Sequence, residues 1–283
     1  MFKKLLRYDM ASVAKLWWIG AAASLGAGAM GGVLMRIGIQ IMNTYTEDAL
    51  LQILAILSFL GSLLCLAVLA ISFAMSCVLV FARYYKHFFT DEGYLTFTLP
   101  VSRSTLFLSK TINALLWFAL HSLVSYISIF LFGILFEPKW FLSVMQDFWG
   151  FIPAAWKELG AWTIVYLTEL LALFAVNLFL LVSQIHFCIT FGSVIAKKAK
   201  LIASIGLYYA FSSVLSLLLE LGIYIVTLFI VPGALALMEN ATKTQVGAAW
   251  ALMLLLITGV IGAIAFALYS ITQHMLDRKL NLA

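Results

Sequence analysis

The chain has 283 residues, of which 64 % are hydrophobic and 10 % charged, against roughly 25 % charged in soluble domains. That composition excludes an ordinary water-soluble globule. A net charge of +5 suggests nucleic acid at first, but the basic residues sort by connecting segment, which is a topology signal and predicts no nucleic-acid partner.

A membrane-crossing helix needs about 20 mostly apolar residues. Six stretches qualify: 16–42, 49–81, 105–136, 161–196, 201–237 and 246–275. They are continuous rather than alternating, which excludes a transmembrane β-barrel. The expected fold class is all-α: a polytopic integral membrane protein with six transmembrane helices, forming one integral domain over 1–283.

The start, MFKKLLRYDMASVAKLWW, resembles the basic region of a signal peptide. Cleavage is not expected, because the charged part is too long and further spans follow. Residues 1–15 read instead as an amphipathic interfacial helix, with Phe2, Leu5, Leu6 and Met10 towards lipid and Lys3, Lys4 and Arg7 towards headgroups. The first span carries Ser24, Gly28 and Gly32. Small residues four apart let two helices approach closely, in a dimer or within one chain.

The second stretch would extend about 50 Å as a helix, against a hydrocarbon core of about 30 Å. The second and third helices therefore project beyond the bilayer and hold the loop 83–104 between them. In that loop Thr90 is placed to cap a short helix whose first turn holds Asp91 and Glu92, favourable at the positive end of a helix dipole. Pro100 ends it, and Ser102 or Ser104 caps the helix that follows. Leu95 to Leu99 also alternate apolar and polar as a strand would, but a lone strand lacks a partner for its backbone. Such an apolar and acidic knob suits docking in another protein's groove, or an interfacial turn resting on lipid headgroups.

Segment 137–160 is rich in aromatics (Trp140, Phe141, Phe148, Trp149, Phe151, Trp156) and should lie along the outer interface. The fourth span carries Glu169, Asn177 and Gln184 within roughly 80° on the helical wheel. In the fifth, Ser204, Tyr208, Ser212, Ser216 and Glu220 recur every four residues, with Tyr209 and Ser213 beside them. Such stripes avoid lipid and face other helices or a wet cavity. Tyr208, Ser212, Ser216, Glu220 and Glu169 are the candidates for lining a pathway. An ion pair from Arg36 to Glu169 or Glu220 would relieve the cost of a charge in the bilayer. Pro232 and Gly233 mark a break, after which an apolar piece dips back into the outer leaflet.

With six spans, Lys3, Lys4, Arg7, Lys15, Arg83, Lys86, Arg103, Lys110, Lys197, Lys198, Lys200, Arg278 and Lys279 share one side. Arg36, Lys139, Lys157 and Lys243 lie on the other. The positive-inside rule puts both termini in the cytoplasm. The cysteines Cys65, Cys77 and Cys188 all fall inside spans and suggest neither a disulfide framework nor zinc. No phosphate-binding Gly-rich loop, metalloprotease or serine-hydrolase motif occurs, and the four histidines lack metal-ligand spacing. The chain is therefore expected to be no enzyme, with no metal and no catalytic residue. His121 and His186 are expected to be hydrogen-bonded packing residues.

The segment DEGYLTFTLPVSRSTLFLSK resembles the loop after the second span in permease subunits of type-2 ATP-binding-cassette exporters. There an acidic-Gly stretch precedes Leu-Pro-Val-Ser/Thr-Arg and a Ser/Gly-Lys that opens the third helix. The matching positions are Glu92, Gly93, Leu99, Pro100, Val101, Ser102, Arg103, Ser109 and Lys110. The resemblance in residues covers about 25 positions, and the six-span layout extends it over the chain; the large external segment departs from the family pattern. It implies a coupling helix docked on a separate ATPase through Asp91, Glu92, Gly93, Tyr94, Leu95, Leu99, Pro100 and Arg103. It further implies a dimer of ATPase subunits holding ATP and Mg, a second permease (identical or homologous), and a pathway lined partly by the first, second and fifth helices. Export of a lipophilic or amphipathic peptide, drug or lipid across a bacterial cell membrane is the implied activity. No cofactor is expected in this chain. Two readings stand beside it: an ion-coupled secondary transporter or channel using Glu169 and Glu220, and a non-transporting membrane scaffold.

Overall fold

The computed structural model describes residues 2–44, 47–196, 199–225, 228 and 242–278. Among them are eight helices and no strand. In chain order they are α1 (Phe2–Thr44), α2 (Ala49–Phe89), α3 (Asp91–Phe97), α4 (Arg103–Phe136), α5 (Pro138–Leu159), α6 (Trp162–Ile195), α7 (Lys200–Ile225) and α8 (Lys243–Arg278). Six of them, α1, α2, α4, α6, α7 and α8, are long and apolar enough to cross a membrane. The all-α reading and the six spans match the sequence. The break at Pro232 and Gly233, the piece after it, and Lys197, Lys198 and Lys279 lie outside the described residues.

Two local expectations change. Residues 2–15 form no separate element, because α1 runs uninterrupted from Phe2 to Thr44. Nothing in that stretch breaks a helix, since it contains neither Pro nor Gly before Gly20. Thr90 stands at the N-terminus of α3 without capping it. Its hydroxyl instead donates to the Lys86 carbonyl at 2.6 Å, one turn back along α2. Ser102 does cap α4, accepting from the Thr105 amide at 3.3 Å. The alternating stretch after Tyr94 is helical through Phe97 and then turns, with no strand formed.

The chain divides into two compact units, Met1–Tyr84 with Leu108–Phe151, and Tyr85–Phe107 with Ile152–Ala283. In the first, Trp17 packs against Trp117 at 4.8 Å between ring centroids and edge-on to His121 at 6.0 Å. His121 is fully buried, and its Nδ1 shares a hydrogen bond with Ser76 at 2.8 Å. The expected packing role for this histidine is met. The small-residue ladder of α1 lies on α4. Ser24 and Ser128 hydroxyls are 3.1 Å apart, and a Cβ on Gly28 or Gly32 would strike the Ser128 or Phe132 backbone. On this face the close approach is therefore within the chain. Only glycine lets the two backbones come so near.

In α5, Trp140, Phe148, Trp149, Phe151 and Trp156 are exposed, while Phe141 is buried. Phe141 meets Phe130 edge-on at 4.9 Å and covers Gly133, where any side chain would collide with its ring. In the second unit, Leu180 of α6 meets Ala265 and Leu268 of α8, and Phe187, Phe211 and Ile261 close around them. His186 is fully buried beside the Phe107 ring, which stacks on Tyr269 at 4.7 Å.

Candidate functional site

The loop residues singled out by sequence gather in one small knob built on α3. Gly93 is buried against the end of α2, where a Cβ would sit 2.9 Å from the Phe88 carbonyl oxygen. A glycine is required there because the helix turns back on the chain that delivers it. Phe97 packs on Phe88 at 5.5 Å between centroids. The Arg103 guanidinium lies 5.2 Å from the centre of the Phe97 ring, a cation–π contact. Its Nη1 also donates to the Leu276 and Asp277 carbonyls, both at 2.9 Å. These carbonyls belong to the last turn of α8, whose acceptors have no partner within the helix. A cation there also complements the negative end of the dipole.

The knob is thus stitched to itself and to α8, and several predicted residues are occupied in doing so. Glu92 pairs with Lys86 at 2.7 Å and lies 3.7 Å from His87. Gly93 and Arg103 serve the internal packing just described. What remains outward is Asp91, Tyr94, Leu95, Leu99 and Pro100. Tyr94 and Leu95 are each 68 % exposed, a large apolar offering on a seven-residue helix.

The other two motif residues, Ser109 and Lys110, lead to a partner that sequence reading missed. Asp9 of α1 is buried and accepts a hydrogen bond from the Ser109 hydroxyl at 2.7 Å. Its other oxygen pairs with the Lys110 ammonium. Both charged side chains are 4 % exposed. A signal was present, since Asp9 is the only acid in the first 46 residues and sits among four basic ones. It falls four residues before Val13 and eight before Trp17, on the face that α1 buries.

The polar stripe of α7 divides into two parts. Ser204 is buried and donates to the Lys200 carbonyl at 2.9 Å, and a Cβ on Gly192 of α6 would lie 2.6 Å from its hydroxyl oxygen. Ser212 accepts from the Gln184 amide of α6 at 2.6 Å. Tyr208, between them, is half-buried. These contacts are helix packing. Ser216 and Glu220 are exposed on their unit, and the Ser216 hydroxyl donates to the Ser213 carbonyl of its own helix at 3.1 Å. Glu169 is half-buried, with Oε2 enclosed and no hydrogen-bond partner among the described residues. Arg36 is exposed on its own unit.

The division predicts different behaviour for two substitutions of similar size. Gln184→Leu should destabilise the protein by about 1 kcal/mol, the usual worth of one hydrogen bond. Ser216→Leu should change stability by less than about 0.5 kcal/mol, as exposed substitutions do. Denaturant titration of both variants in the same detergent checks this, and equal losses would refute the division.

No family model matches the chain, and no curated protein or solved structure is significantly similar to it.

Proposed function

We propose that this chain is the membrane-spanning permease subunit of an ATP-binding-cassette exporter, driven by a separate ATPase dimer. The supporting observation is the α3 knob. A short helix stands between the extended ends of two long apolar helices, offers Tyr94, Leu95 and Leu99 outwards, and is braced from behind by Arg103. An exposed aromatic and two leucines on a rigid support are what an interface uses as anchors. A lipid-resting turn needs no such bracing.

On this reading ATP and Mg belong to the partner, and a second permease completes the assembly. Both termini and α3 lie on the cytoplasmic side of a bacterial cell membrane. The cargo is lipophilic or amphipathic, in keeping with the apolar helices. Purification from native membranes in mild detergent should bring down an ATPase in stoichiometric amount. Flux driven by a proton gradient, with no ATPase bound, would instead favour ion coupling through Glu169 and Glu220.

A further inference from the structure

In the first unit, four buried polar side chains gather where α1 meets α4. Asn113, Trp117 and His121 follow one another at four-residue spacing and share one face of α4. Trp17 of α1 lies against two of them, 4.8 Å from Trp117 and 6.0 Å from His121 between ring centroids. Phe73 of α2 also meets the His121 ring, at 5.5 Å. Exposure is 2 % for Trp17, 3 % for Asn113, 4 % for Trp117 and 0 % for His121, so bulk solvent does not reach them.

Each of the four presents one enclosed atom that has no hydrogen-bond partner among the described residues: Trp17 Nε1, Asn113 Oδ1, Trp117 Nε1 and His121 Nε2. Buried polar groups in folded proteins are nearly all hydrogen-bonded, so four on one short stretch of seam call for a common cause. Their chemistry narrows it. An indole N–H only donates and an amide oxygen only accepts. His121 Nδ1 already shares a hydrogen bond with Ser76 of α2 at 2.8 Å, which leaves Nε2 to donate or accept according to the tautomer. Whatever completes this set must therefore accept from two indoles and also donate to Asn113.

A bare anion accepts but cannot donate, and it would bring uncompensated charge into an apolar seam, since the nearby Lys110 ammonium is paired with Asp9. Water is neutral, does both, and is small enough for a seam between packed rings. We propose that enclosed water molecules bridge Trp17, Asn113, Trp117 and His121 and so join α1 to α4 by hydrogen bonds as well as by ring contact. Asn113 and His121 are separated by about 12 Å along the helix axis, further than one water spans, so at least two take part. Internal waters commonly make about three hydrogen bonds each to groups of this kind. Through His121 and Ser76 the same bridge reaches α2. The site stands on its own geometry and does not require the ATPase reading.

The test is nuclear magnetic resonance on the full chain in detergent micelles, with the tryptophan indole nitrogens isotopically labelled. Trp17→Phe and Trp117→Phe assign the two signals, and Trp18, which is 65 % exposed, serves as the internal standard. Both buried indole N–H groups should show a direct magnetisation-transfer peak to water. Both should nevertheless exchange with deuterium at least about a hundredfold more slowly than Trp18, because exchange requires local opening. Asn113→Leu, close in size but without an acceptor, should reduce the Trp117 water peak by roughly half, and thermal melts on the same preparation establish that it is folded. Slow exchange with no water peak at either indole would show a dry seam and overturn the proposal. Exchange as fast as that of Trp18 would overturn the enclosure. An undiminished Trp117 peak in folded Asn113→Leu protein would overturn the bridge, and indole shifts that follow replacement of chloride by iodide would put an anion in place of water.

Discussion

The double replacement of Tyr94 and Leu95 by Asp should abolish export and reduce ATPase co-purification to background, with folded protein recovered at the normal yield. Both side chains are exposed on α3, so their loss removes nothing that holds the unit together. Buried interface anchors are each worth about 2 kcal/mol or more. Losing two therefore lowers affinity for a docked partner by roughly a thousandfold. Acidic replacements add a desolvation cost on the partner's side. Glu92→Arg is a less discriminating change, because Glu92 is paired with Lys86 and its reversal would also disturb α3 itself. Normal export by the Tyr94 and Leu95 double variant would sink the docking proposal outright.

The largest effect on stability should come from α1 and α4. Asp9→Asn or Lys110→Met alone should cost about 3–5 kcal/mol, because each leaves the opposite charge buried without its partner. The double variant Asp9→Leu with Lys110→Met should recover most of that loss, since apolar residues of similar volume often replace a buried pair without penalty. Thermal or denaturant unfolding in detergent of the two single variants and the double one provides the measurement. An exposed pair would contribute about 0–1 kcal/mol, so single-variant losses in that range would show that the pair is not enclosed.

Hydropathy alone was enough to locate the six spans, because long uninterrupted apolar runs have few structural solutions. The helical knob was also legible: Asp91, Glu92 and Gly93 favour a first turn, and Pro100 closes the segment. What could not be read was which polar residues look inwards. Asp9 and Lys110 are 101 residues apart, and no local pattern couples them. The Ser24–Gly28–Gly32 ladder announced close packing without naming the surface it meets, and α4 supplies that surface through Ser128 and Phe132. A four-residue repeat made the α7 stripe look uniform. Its two halves nevertheless differ, because Gly192 and Gln184 of α6 reach Ser204 and Ser212. Periodicity reports a face of a helix, and only the neighbour decides what that face does.

The bracing of α3 by Arg103 also has a mechanical side. An α-helix resists compression along its axis far better than it resists bending, since its hydrogen bonds and backbone both run lengthwise. Arg103 ties the knob to the last carbonyls of α8, a helix of 36 residues. Under the docking proposal, a load on Tyr94 or Leu95 would be passed through Arg103 to the end of a helix about 54 Å long. At the far end of that helix stand Gly247 and Trp250. There the Trp162 ring and the Tyr166 hydroxyl rest on the α8 backbone at Gly247, so the two ends of α8 are each held by a side chain from another helix or loop.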